Sequence, residues 1–138
     1  MPRINRFAWF MLLFFANLLV AACVGRLESS LAGTNWTLQS LNGEELIPGT
    51  EITAQFGEEQ ILGNAGCNSY QANYELNDSR ISVLDFISTE IFCEEPEGVM
   101  DQEGEYMAHM LRVDPFEIEN DRLTLSTPDG ETLVFERQ

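Results

Sequence analysis

The chain has 138 residues, with 23 acidic side chains against seven basic ones and a formal net charge of −16 at pH 7. All seven basic residues are arginine, and phosphate binding needs clustered cations, so the chain repels anionic lipid headgroups and nucleic acid is excluded as a partner. The length is that of one domain behind a leader.

In chain order, the first element is an export signal over residues 1–22. Arg3 and Arg6 make a positive n-region, and Phe7 to Val20 is an apolar run broken only by Asn17. Val20-Ala21-Ala22 then supplies the small residues that a signal peptidase needs ahead of Cys23. The run Val20-Ala21-Ala22-Cys23 resembles the lipobox of bacterial lipoproteins. That resemblance implies that Cys23 becomes the new N-terminus and carries thioether-linked diacylglycerol, a membrane attachment made through lipid. The alternative is an uncleaved anchor, because Phe7 to Val24, at 18 residues, is just long enough to span a bilayer of about 30 Å. Both arginines precede it, so the folded part lies outside the cytoplasm either way.

Residues 24–30 read as a short tether, and 31–138 as the domain. Two of the arginines belong to the signal, so the mature chain has five basic and 23 acidic residues and a net charge of −18. With Cys23 assigned to lipid, Cys67 and Cys93 remain as an even pair in an oxidising compartment, and a disulfide is expected. Two buried free thiols are the alternative.

Within the domain, short segments alternate apolar and polar residues, the period of a half-buried strand. They are Trp36 to Leu41, Ile52 to Phe56, Gln60 to Gly63, Tyr70 to Leu76 and Ile81 to Leu84, then Phe116 to Ile118, Leu123 to Leu125 and Leu133 to Phe135. Turns fall at Asn42-Gly43, Gly57 to Glu59, Asn77-Asp78, Asn120-Asp121 and Pro128-Asp129-Gly130. One segment has helical spacing instead. From Glu97 to Val113, the residues Val99, Tyr106, Met110 and Val113 share a face, with Met107 and Leu111 alongside. Pro96 suits a first turn; Glu94, Glu95, Glu97 and Asp101 suit the positive end of the dipole, and Arg112 the negative end. The fold class is therefore mainly β plus one helix: a strongly curved antiparallel sheet, or small partial barrel, closed by one α-helix.

Catalytic machinery is not evident. His109 is the lone histidine and sits mid-helix, where an exposed or partly buried structural role is expected. A zinc site from Cys67, Cys93 and His109 lacks the usual ligand spacing, and no calcium loop is present. Glu44-Glu45, Glu58-Glu59 and Glu94-Glu95 are neighbours in sequence, and adjacent strand residues point to opposite faces. No catalytic, cofactor-binding or metal-binding residue is assigned. The aromatics Trp36, Phe56, Tyr70, Tyr74, Phe86, Phe92, Tyr106, Phe116 and Phe135 are enough for a core and most are expected to pack there; a concave apolar groove would be the default ligand site.

The fragments Leu31-Ala-Gly-Thr-Asn-Trp36, Gly63-Asn-Ala-Gly66-Cys67-Asn68-Ser-Tyr70, Thr89-Glu-Ile-Phe-Cys93 and Leu123-Thr-Leu125, in that order, resemble the META/HslJ family. The resemblance implies a highly curved sheet with a helix, no established catalytic activity and an envelope location; its best-known members are linked to heat shock and novobiocin resistance. Its motif residues here are Trp36, Gly66, Asn68 and Tyr70. Gly63 and Gly66 are expected to allow positive φ or a bulge, and Asn68 to bond the backbone of its own turn. An anion cradle in that glycine-rich loop is the alternative use. The expected function is that of a lipid-anchored, non-enzymatic monomer acting in stress tolerance or through an envelope protein partner. A small barrel holding an apolar ligand and a carboxylate-based hydrolase are the rivals.

Overall fold

In a computed structural model, residues 31–138 are described; the export signal, Cys23 and the tether expected ahead of them lie outside these residues. Nine strands and one helix follow one another as β1 (Thr34–Leu41), β2 (Glu44–Glu45), β3 (Thr53–Phe56), β4 (Gln60–Asn64), β5 (Ser69–Asn77), β6 (Arg80–Ser88), α1 (Val99–Met110), β7 (Phe116–Glu119), β8 (Arg122–Ser126) and β9 (Thr132–Arg137). Alternation decides which faces are buried. Tyr70, Ala72 and Tyr74 of β5 point inward, as do Leu123 and Leu125 of β8 and Leu133 and Phe135 of β9.

The strands form one antiparallel sheet in the order β6-β5-β4-β3-β1-β9-β8-β7, with β2 folded back on β1. The β1–β2 hairpin turns on Asn42 and Gly43, both at positive φ, the conformation a two-residue type I′ turn demands. The sheet curls until its two edge strands meet at one end. There Ile81 donates its N–H to the Asp114 carbonyl at 2.6 Å, and Phe116 donates to Ser79 at 2.9 Å. Arg80 grips the Asp114 carboxylate with two bonds of 2.7 and 2.8 Å across the same seam. The result is a half-barrel, as the sequence led one to expect, with one end of the seam closed.

The helix fills the concave side. Tyr106 and Met110 are fully buried against Trp36, Phe56, Ile61 and Phe135. Its limits differ from those expected. It starts at Val99, with Gly98 at φ 85° as N-cap, so Pro96 precedes the helix and does not occupy its first turn. Glu94, Glu95 and Glu97 also lie ahead of it, which leaves Asp101 as the acidic residue of the first turn. Most of the aromatics pack in the core, as expected, with two exceptions. Phe86 is only half-buried, and Phe92 is 75% exposed at the sheet edge that continues beyond β6. Leu111, expected beside the apolar face, is exposed past the helix end.

Candidate functional site

The site grows from a crowded crossing between β3 and β4. A Cβ on Gly63 would lie 2.0 Å from the Thr53 carbonyl oxygen, so only glycine lets the two backbones approach so closely. The next residue, Asn64, still pairs with Ser69 of β5, but its N–H goes to the Thr53 hydroxyl, and its own side-chain oxygen accepts the Gly66 N–H at 2.8 Å. Gly66 then adopts φ 116°. Of the two glycines, Gly66 is therefore the positive-φ residue and Gly63 the close-approach residue.

This reversal aims two consecutive N–H groups at α1. Cys67 and Asn68 both donate to Oε2 of Glu103, at 3.0 and 2.6 Å. The other carboxylate oxygen accepts an Asn68 Nδ2 hydrogen at 2.6 Å. Glu103 is 4% exposed, so a buried carboxylate is held by three donors from two residues. Charge-assisted bonds of this kind are about twice as strong as neutral ones. The nest of amides expected as a possible anion cradle does receive an anion, and that anion is the protein's own.

Asn68 does not bond its own turn, contrary to expectation; all its side-chain capacity goes elsewhere. Nδ2 also donates to the Ile91 carbonyl at 2.9 Å, and Oδ1 accepts from the Ile91 N–H and the Thr89 hydroxyl, each at 2.7 Å. A primary amide that gives to and takes from one residue mimics a paired strand backbone. Asn68 thereby prolongs the β5–β6 ladder beyond the Thr89–Ser69 bond. Two residues later, Cys93 joins Cys67 in a disulfide with Cα atoms 6.0 Å apart. The segment from Thr89 to Cys93 is thus fastened to the Gly-Cys-Asn turn by both hydrogen bonds and a covalent link.

Below this hub, Tyr70 donates its hydroxyl to the Thr53 carbonyl at 2.9 Å, so the 2.7 Å contact with Tyr106 must be a bond in which Tyr106 donates. Tyr70 also stacks on Phe86, with ring centroids 4.7 Å apart. Burial pushes both phenols above their ordinary value of 10.0. A raised folded-state value means that stability is fully present below pH 10 and is lost as pH rises further, by at most about 1.4 kcal/mol per pH unit for each tyrosine. In urea unfolding between pH 9 and 12, Tyr106→Phe is expected to flatten this decline. An unchanged slope would refute the assignment. Trp36, the remaining motif aromatic, is fully buried, with its Nε1–H bonded to the Thr34 hydroxyl at 2.7 Å and the Arg137 guanidinium 4.4 Å above its ring.

The residues tested for chemistry stay apart from this hub. His109 is more deeply buried than expected. Its Nδ1 faces the Glu105 carbonyl at 2.8 Å and must donate; Nε2 lies 3.2 Å from Glu131, which also takes Arg112. The adjacent glutamates at 44–45, 58–59 and 94–95 are all exposed. No group of metal-ligating side chains suited to an ion occurs among the described residues. The concave face is filled by α1, and a surface hollow of about 610 Å³ beside the β3–β4 turn counts Phe56 as its one aromatic, next to Glu58 and Glu59.

Sequence reasoning missed Glu103 and Gln102. Gln102, also buried, accepts from Ile47 N–H at 2.7 Å and donates to Thr50 at 3.0 Å, which ties the chain before β3 to the helix. The signal for Glu103 was present: it stands four after Val99, three before Tyr106 and seven before Met110, on the stripe those residues define.

These features define a class: a small curled antiparallel half-barrel, stoppered by one helix and locked by a Gly-Cys-Asn turn. The META domain profile matches residues 29–138, and the chain belongs to the META domain family. Among solved structures, an NMR structure of a protein from Burkholderia xenovorans is 26% identical, with a TM-score of 0.67, covering 78% of this chain and 83% of its own. A second NMR structure shares 20% identity at TM-score 0.64, covering 79% and 92%. A DUF4847 family protein from Bacteroides vulgatus shares 12% at TM-score 0.58, covering 79% and 95%. The last two show likeness of fold alone. No curated protein matches the sequence.

Proposed function

We propose that this META domain works outside the cytoplasm as a non-enzymatic envelope module, tethered to a membrane through lipid on Cys23 and contributing to stress tolerance or envelope interactions. One observation carries the reading. The chain contains a disulfide, Cys67–Cys93, and such bonds persist in oxidising compartments. The apolar leader, the small residues before Cys23 and the arginines ahead of them support the same location.

The hub supports a structural rather than a catalytic use of the motif. Both Glu103 oxygens and all four Asn68 side-chain bonds are committed within the protein, which leaves neither group for substrate. Cell fractionation and mass measurement of the processed N-terminus test the anchor. The wild-type chain is expected in the membrane fraction with a diacylated Cys23, and Cys23→Ser is expected to lose that mass and remain unprocessed. A cytosolic, unlipidated wild type would overturn the proposal.

A further inference from the structure

β6 ends the strand order, and its outer side meets β7 only near Arg80 and Ile81. After Ser88 the chain continues alongside β5, with the main-chain groups of alternate residues turned toward it. Thr89 donates to Ser69, and the Asn68 amide takes both main-chain groups of Ile91. The N–H groups of Glu90 and Phe92, between and beyond them, bond nothing among the described residues. Alternate unpaired amides of this kind are the mark of an open strand edge.

Natural edges are blunted by lysine, proline or a bulge. A bulge does occur at Asp85, φ 51°, opposite Ala72, but it shields only the stretch before Ile87. From Ile87 to Phe92 there is neither a basic residue nor proline. Three large apolar side chains stand open there instead: Ile87 is 63% exposed, Ile91 58% and Phe92 75%. A loop fastened by a disulfide and the Asn68 amide has already lost its freedom, so docking on it costs little further ordering.

Charge selects the occupant. Between Arg80 and Arg112 the chain has eight acidic residues and no lysine or arginine, and Glu90, Glu94 and Glu95 at this edge are exposed. A second mature copy, at net charge −18, is repelled, as is an anionic bilayer. We infer that Ile87 to Phe92 is a docking edge for an extended, arginine- or lysine-rich segment of another protein. That segment adds as a strand beside Ser88, Glu90 and Phe92, with its cations over Glu90, Glu94 and Glu95. Strand addition of this type draws affinity from the main chain and specificity from alternate side chains.

The test uses the full chain, nitrogen-15 labelled in nanodiscs of zwitterionic lipid, with a peptide of alternating arginine and valine as probe. The Glu90 and Phe92 amides are expected to gain protection from hydrogen exchange when the peptide is added. Phe92→Ser and Glu90→Arg, both at exposed positions, are each expected to weaken binding at least tenfold. Of two peptides N-methylated on alternate residues, one should retain binding and the other lose it, since only one set of amides faces β6. Equal binding by both would mean that charge alone attracts the peptide and would overturn the inference. So would the absence of binding, or protection of those two amides before any peptide is added, which would assign the edge to lipid or to a second copy.

Discussion

Replacing Glu103 by alanine is expected to destabilise the domain by about 3–5 kcal/mol, because three buried neutral donors lose their acceptor together. The size follows from what stays behind. The Cys67 and Asn68 N–H groups and one Asn68 Nδ2 hydrogen lose their acceptor in a place with little access to water. Each buried donor left unsatisfied costs about 1–3 kcal/mol. Glu103→Gln is a finer probe. Its carbonyl can keep the two backbone N–H groups at the Oε2 position, but its amide then sets a donor against the Asn68 amide. The expected loss is smaller than for alanine but above about 1 kcal/mol. Urea midpoints at unchanged m-value give both numbers. Pairing Glu103→Ala with Asn68→Ala should show a coupling of at least about 0.5 kcal/mol, because the two side chains share one network. Additive losses, or a cost for Glu103→Ala under about 1 kcal/mol, would mean that the turn is held by something else.

The strands were legible because their burial follows a period of two and their turns are written in asparagine, aspartate and glycine. Asn42-Gly43, Asp78 and Asn120 all take the positive φ that such residues tolerate. The helix was legible as an element but blurred at its start. Proline and a run of glutamates satisfy the usual rules for a first turn, whereas the chain uses Gly98 to enter the helix and spends those residues on the approach. The hub was half legible. Gly66, Cys67 and Asn68 stood out as a motif, yet what Asn68 binds is set by a segment 21–23 residues away and by a helix 35 residues away. No local rule of turn chemistry reaches so far. Glu103 was hidden for a different reason. A glutamate on an acidic helix is ordinarily solvated, and its burial becomes sensible only once three donors converge on it. Phe92 is an exception among the aromatics because composition counts them without knowing which segments lie on an open edge.

Removing the disulfide, as Cys67→Ser with Cys93→Ser, is expected to cost about 3.5 kcal/mol on the chain-entropy model. The bond joins residues 26 apart and so closes all of β5 and β6 and the segment up to Cys93 into one loop. For a domain whose total stability is on the order of 5–15 kcal/mol, that loss is large. It should nonetheless leave the native arrangement in place. The Cys67 N–H still meets Glu103, and Asn68 still holds Thr89 and Ile91 without any help from sulfur. The double-serine protein is therefore expected to keep the near-ultraviolet signature of its packed tyrosines and to unfold cooperatively, at a lower urea midpoint. Adding Glu103→Ala to it removes the second fastening, and unfolding at ambient temperature should follow. If the double-serine protein instead lost its fixed tertiary signal by itself, the hydrogen-bonded turn would be a consequence of the disulfide and not an independent clasp. If it lost under about 1 kcal/mol, the loop would already be restricted in the unfolded chain, and the entropic argument would not apply.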